Sequence, residues 1–134
     1  MKGLVRNEAM VTQAIDFAGI ENNKIHPSDI DGVLEFNNQL LIIIETKRRG
    51  NSIPVGQRLL LERLCDSWHT GKAVVLQVEH GQDKGKIPLH KCTVTSVYYQ
   101  QNWTNVSRRL LPQLNRIGKY FNESKCFFKD TITN

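Results

Sequence analysis

HPSDIDGVLEFNNQLLIIIETKRRG, residues 26 to 50, holds two β-rich runs, 31 to 36 and 40 to 46, parted by Asn37, Asn38 and Gln39. Two such runs broken by turn-forming amides read as a β-hairpin. Strand side chains alternate, so Leu41, Ile43, Glu45 and Lys47 share one face while Leu40, Ile42, Ile44 and Thr46 share the other. Both faces are apolar at first, which predicts an interior strand covered on both sides. Against that pattern, Asp31 opens the first run, and Glu45 and Lys47 close the second. Two carboxylates brought together raise each other's pKa unless a cation lies between them.

The flanks predict what covers this hairpin. Met10, Val11, Ala14, Ile15 and Ala18 recur at helical steps, which predicts an amphipathic helix over about 5–19 with Glu8 on or beside its buried stripe. A second helix starts near Pro54, with Leu60, Leu61, Leu64 and Trp68 on its apolar side, Gln57 at the head of that side, and Gly71 past its end. Residues 72–80, KAVVLQVEH, read as a strand with no evident polar face. Following a helix, it is expected to pair in parallel through a crossover. Residues 92–99 form a further strand, and a closing helical region is expected over about 104–122, with Leu110, Leu114, Ile117 and Phe121 on one stripe and Pro112 kinking or restarting it. The expected fold is α/β, a central mixed four- to five-stranded sheet flanked by helices. A single domain spans 1–134, with its core at about 5–100.

Composition narrows the function. With 134 residues and 40% hydrophobic content the chain has room for one domain with a true core. Its net charge of +5 favours a polyanionic partner. Cys65, Cys92 and Cys126 have neither CxxC nor Cys/His zinc spacing and read as reduced, mostly buried thiols. No apolar run suits a signal peptide or a membrane span, so the cytoplasm is expected, and the sequons at Asn102, Asn105 and Asn122 carry no weight there. The loop HGQDKGKIP is not a phosphate loop, since Ile87 follows Lys86 where a Ser or Thr would hold magnesium.

The chemistry then rests on Asp31, Glu45 and Lys47. Hard cations such as magnesium favour carboxylate oxygens and keep several waters, and a neighbouring ammonium can act on water and steady charge on a phosphate. Asp31, thirteen intervening residues and then Glu45-Thr46-Lys47 resemble the motif of the PD-(D/E)xK nuclease superfamily, which includes restriction enzymes, archaeal Holliday-junction resolvases and phage nucleases. The order of elements from Arg6 to about His80 resembles that family, while 81–134 adds nothing to the likeness.

The resemblance implies a restriction-endonuclease-like fold, a metal site of Glu8, Asp31 and Glu45, and catalytic roles for Asp31, Glu45, Lys47 and Gln57. Glu8 corresponds to the leading-helix glutamate of resolvase-like branches, and Gln57 to the glutamine of virus-type replication-repair nucleases. The proline–aspartate dipeptide is absent, as Pro27 and Ser28 precede Asp29-Ile30-Asp31, so Asp29 competes with Asp31 as the metal aspartate. Asp31 is preferred for its spacing to Glu45.

Plainer readings stand beside these. Glu45 and Lys47 taken alone fit an exposed ion pair. Gln57 fits a cap on backbone groups near Pro54. Arg48 and Arg49 fit either a solvated run or a grip on a DNA backbone, and His26 could approach a phosphate. Glu35 and Glu79 read as solvated charges, and Tyr98, Tyr99 and Trp103 as packing residues more than base-stacking ones. The function implied is a magnesium-dependent DNA endonuclease, with manganese substituting. It would be phage-type, selective for junctions or branched DNA, a homodimer and free of membranes, in the host cytoplasm if phage-encoded. The alternative is a nucleic-acid-binding, anti-defence or assembly module of the same fold without turnover.

Overall fold

The 32–48 segment folds back on itself as the apolar alternation requires. Strand β1 (Gly32–Phe36) pairs antiparallel with β2 (Leu40–Arg48), Gly32 opposite Ile44 and Phe36 opposite Leu40. Asn37 and Asn38 make the turn at φ 52° and 60°, the left-handed region that asparagine tolerates better than most side chains. The structure is a computed structural model and describes residues 15–20, 27–81 and 84–130.

From β2 the chain crosses through helix α1 (Val55–Asp66) into β3 (Ala73–His80), which lies parallel to β2 with Glu45 opposite Gln77 and Lys47 opposite Glu79. Strands β4 (Thr93–Tyr99) and β5 (Asn102–Arg109) add antiparallel, and helix α2 (Leu110–Tyr120) closes the fold. Among the described residues the result is α/β, a five-stranded mixed sheet in the order β1-β2-β3-β4-β5 flanked by two helices.

Each face of the sheet has its own core. Leu40, Ile42, Ile44, Val74, Leu76, Val78 and Val94 pack against Leu110, Leu114 and Ile117 of α2. Ile43, Ala73, Val75 and Tyr98 pack against Leu61 and Cys65 of α1 and against Ile53. The chain after α2 passes close over that helix: a Cβ on Gly118 would lie 2.2 Å from the Cys126 carbonyl oxygen, so only glycine fits there. Asn115 holds the same tail by exchanging bonds with Phe128, donating to its carbonyl at 2.9 Å and accepting from its amide at 2.7 Å.

Four expectations need correction or limits. Residues 15–20 are not helical, and the rest of the expected leading helix, Glu8 included, lies outside the described residues. Residues 102–109 form β5, where the sequence suggested the start of a helical region at about 104. That hairpin turns on Gln100 and Gln101 at φ 49° and 66°, and glutamine is not a turn-forming residue, so the turn left no signal. Pro112 lies in the first turn of α2, where a missing N–H costs nothing, and neither kinks nor restarts the helix. Finally, α1 buries Leu61 and Cys65 while Leu64 is exposed, and the helix ends before Trp68, whose indole donates to the Gln39 carbonyl. Among the described residues, no helix is long and apolar enough to cross a membrane.

Candidate active site

Glu45 stands at the last apolar level of β2, on the face that α1 covers, and is 2% exposed. Gln57 sits one turn before Leu61 and two before Cys65, so α1's buried stripe carries its amide onto that carboxylate. Gln57 Nε2 donates to Glu45 Oε2 at 2.7 Å and to the Asp29 carbonyl at 3.2 Å. Lys47, two residues along the same strand face, lies 3.2 Å from Glu45 Oε2 and donates to Gln57 Oε1 at 3.3 Å. Gln57 therefore bridges the acid and the base of the site. The reading of Gln57 as a helix cap fails, because α1 has no side-chain cap and both ends of the amide are engaged elsewhere.

Asp31 precedes β1 directly, and Gly32 pairs with Ile44, which sets Asp31 beside the Glu45–Thr46 step. Its Oδ2 accepts from both the Thr46 amide and the Thr46 hydroxyl, each at 2.8 Å. Thr46 thus anchors the aspartate, a role that the sequence did not reveal. Between the two candidate aspartates, Asp31 is the one whose charge acts on Glu45, while Asp29 contributes a backbone carbonyl.

The electrostatics follow from this packing. Burial, and then the Asp31 charge, push the Glu45 carboxyl above the usual carboxylate range, and the Lys47 and Gln57 contacts oppose them. Glu45 Oε1 is buried with no hydrogen-bond partner among the described residues. A buried, partnerless carboxylate oxygen is costly in a structural ion pair, because an anion gains from every donor it can find. The Glu45–Lys47 pair is also far less exposed than an ordinary surface bridge. An orphaned carboxylate oxygen on a group that feels the charge of a second carboxylate is a donor set that fits a hard divalent cation. Among the described residues, no three Asp, Glu, His or Cys side chains converge on one such site, and Asp31 and Glu45 supply two oxygen donors.

The remaining candidates take varied places. Arg48 ends β2 and is exposed; Arg49 follows it, its amide donating to the His80 carbonyl at 2.8 Å and its guanidinium lying over Gly81. Both therefore sit at the C-terminal ends of β2 and β3, beyond Lys47. His26 and Glu8 lie outside the described residues. Glu35 accepts from the Asn38 amide within the β1–β2 turn and is no ligand. Tyr98 is buried and donates to Asp66, and the Trp103 indole donates to Glu62 at 2.7 Å, so both are packing residues. The three cysteines are free and buried, and burial pushes the Cys65 and Cys126 thiols up to about 12 and about 11, leaving them unreactive.

Comparison with protein-family models, with curated proteins and with solved structures finds no match to this chain.

Proposed function

We propose that this protein is a metal-dependent nuclease of the PD-(D/E)xK type that hydrolyses phosphodiester bonds in DNA. The observation that carries the reading is the buried Glu45 carboxylate, which feels the Asp31 charge, with one oxygen held by Lys47 and Gln57 and the other without a partner among the described residues. Asp31 and Glu45 would hold Mg2+, or Mn2+ in its place, which supplies neutralising charge at the phosphate and polarises water. Thr46 fixes the Asp31 carboxylate through two bonds, so that ligand needs no reorganisation when the ion arrives. Glu8 is proposed as a third ligand on the resemblance alone.

Lys47 would donate to a phosphate oxygen and orient the attacking water, its half-buried ammonium being held 3.2 Å from Glu45. Gln57 holds both partners in register and so positions the lysine. Arg48 and Arg49, at the rim past Lys47, would grip the DNA backbone, in keeping with the net charge of +5. Preference for junctions or branches, a homodimeric state that pairs two sites, and a cytoplasmic setting complete the reading.

The test is incubation of the purified protein with linear duplex, single-stranded, nicked and four-way-junction DNA, in magnesium, manganese or EDTA. Cleavage that needs metal is expected, most rapid on the branched substrate. Absence of cleavage on all four with either metal would leave the binding-module alternative in its place.

A further inference from the structure

On the α1 face the sheet changes character at the level of Glu45. One level earlier, Val75 and Tyr98 are buried under α1 and Trp103 stacks on Tyr98 with ring centroids 5.3 Å apart. At the Glu45 level the register runs Glu45 to Gln77, Gln77 to Ser96 and Ser96 to Asn105. Residues paired across a sheet point to the same side, and Gln77, Ser96 and Asn105 stand two positions from Val75, Tyr98 and Trp103. The three therefore form a polar row that begins at the candidate active site and crosses three strands.

Gln77 and Ser96 are half-buried and Asn105 is exposed, and among the described residues nothing hydrogen-bonds to this row's side chains. Leu61 and Cys65 of α1 pack with Val75, and Gln57 at the head of the helix bonds to Glu45, whereas Gln77, Ser96 and Asn105 belong to neither core. A sheet face meant only for packing would hold apolar residues at these positions, as it does one level earlier. The row has both donors and acceptors and no charge of its own. Glu79, opposite Lys47 and one level nearer the strand end, borders it with a negative charge.

We infer that Gln77, Ser96 and Asn105 form the track that holds one strand of a DNA substrate beside the Asp31, Glu45 and Lys47 site, through hydrogen bonds to its phosphates and sugars. This inference rests on the nuclease reading above and names the surface that the substrate occupies. Amide and hydroxyl side chains are regular partners of phosphate and sugar oxygens. Three interstrand spacings of about 4.8 Å separate Glu45 from Asn105, so site and row together span ~14 Å, the axial length of about four nucleotides of one strand. Glu79 repels phosphates from the far side and so favours the uncharged lane.

The test measures binding apart from cleavage. Fluorescently labelled duplex, single-stranded and junction DNA are titrated with the full-length protein in EDTA and in calcium. The variants are Gln77→Ala/Ser96→Ala/Asn105→Ala, the single Asn105→Ala, and Thr104→Ala as a control on the opposite face of β5. Loss of two or more hydrogen bonds predicts binding at least ~10-fold weaker for the triple variant, with an unchanged melting temperature. The exposed Asn105→Ala is expected to lose part of that affinity, and Thr104→Ala none. Wild-type affinity in a folded triple variant would overturn the track, and should the triple variant not fold, wild-type affinity in Asn105→Ala does so. Cleavage is scored in parallel with magnesium. Wild-type protein that binds without cutting, while the triple variant binds weakly, removes hydrolysis and keeps the track. Wild-type protein that cuts, with the triple variant matching it in affinity and KM, keeps the nuclease and removes the track. Failure of wild-type protein to bind any DNA overturns both.

Discussion

Strand β2 belongs to two different environments. Its α2 side presents Leu40, Ile42 and Ile44 to Leu110, Leu114 and Ile117, an interface that is apolar up to Thr46, which anchors Asp31. Its α1 side begins in the same way, with Ile43 under Leu61, then places Glu45 at 2% exposure and Lys47 beyond it. One face gains stability from burial, at ~25 cal/mol per Å² of apolar surface. The other gives some of that up to hold a desolvated carboxylate with an unpartnered oxygen. Such a conflict between local packing and local chemistry is what functional sites impose on a fold. The contrast teaches that the polar half of the α1 face is where activity should reside, and that the α2 face should influence activity only through folding.

The comparison breaks most directly at Glu45. Glu45→Ala or Asp31→Asn should reduce cleavage to the level measured in EDTA while DNA binding persists, read by gel assay and anisotropy. An active Asp31→Asn protein alongside a dead Asp29→Asn protein would transfer the metal role to Asp29. On the other face, Leu114→Ala should cost ~2–5 kcal/mol in denaturant unfolding through lost burial and a cavity. Cleavage per folded molecule should stay at the wild-type rate, and a specific loss of rate there would end the division between faces.

Lys47→Ala should slow cleavage by ~10²-fold or more, the scale of losing one oriented charge stabiliser, with metal affinity nearly unchanged. Lys47→Arg should restore little, since guanidinium is bulkier and does not release a proton. Gln57→Ala should slow cleavage by ~10- to 100-fold, because Lys47 loses its second holder. A lower melting temperature with wild-type turnover would make Gln57 a scaffold residue instead.

The smallest effect sharpens the electrostatic side. In metal-free protein the folded pKa of Glu45 is raised above its model-compound value of 4.5. Its contribution is then fully favourable below pH 4.5 and declines as pH rises through the folded pKa, because the buried group must ionise. Glu45→Gln does not titrate, so in EDTA it should melt higher than wild type at neutral pH, with the gap closing toward pH 4.5. Magnesium should shrink the gap by stabilising the wild-type carboxylate alone. A gap independent of pH would mean that Glu45 is not desolvated as described.

Much of this was legible in the chain because it depends on alternation along single elements. The split of Leu41, Ile43, Glu45 and Lys47 from Leu40, Ile42, Ile44 and Thr46 predicts the two faces of β2, and both appear as expected. Pro54 marks the start of α1, and KAVVLQVEH forms the parallel neighbour of β2. Gln57 was identified on the buried side of α1, though by a stripe through Leu64 that the helix exposes. What stayed hidden lacked a local mark. Strand β5 follows a turn of two glutamines, and its apolar residues, Trp103 and Val106, stand three apart and break a period of two, so neither turn chemistry nor hydrophobic period announces it. The strand at 73–80 looked apolar all round because Gln77 and Glu79 acquire a face only once Val75 is seen beneath α1.

The sequence by itself determined the elements around Asp31 and Glu45 and the sidedness of β2, since a period of two or of 3.6 residues is a property of neighbours along the chain. Tertiary structure alone decided that the Asp31 charge bears on Glu45, that Thr46 anchors Asp31, that Gln57 spans Glu45 and Lys47, and that Gln77, Ser96 and Asn105 line up with them. Those relations are set by strand register and by the docking of α1. Both come from long-range pairing and burial, in which a shift of one residue turns every side chain to the opposite face.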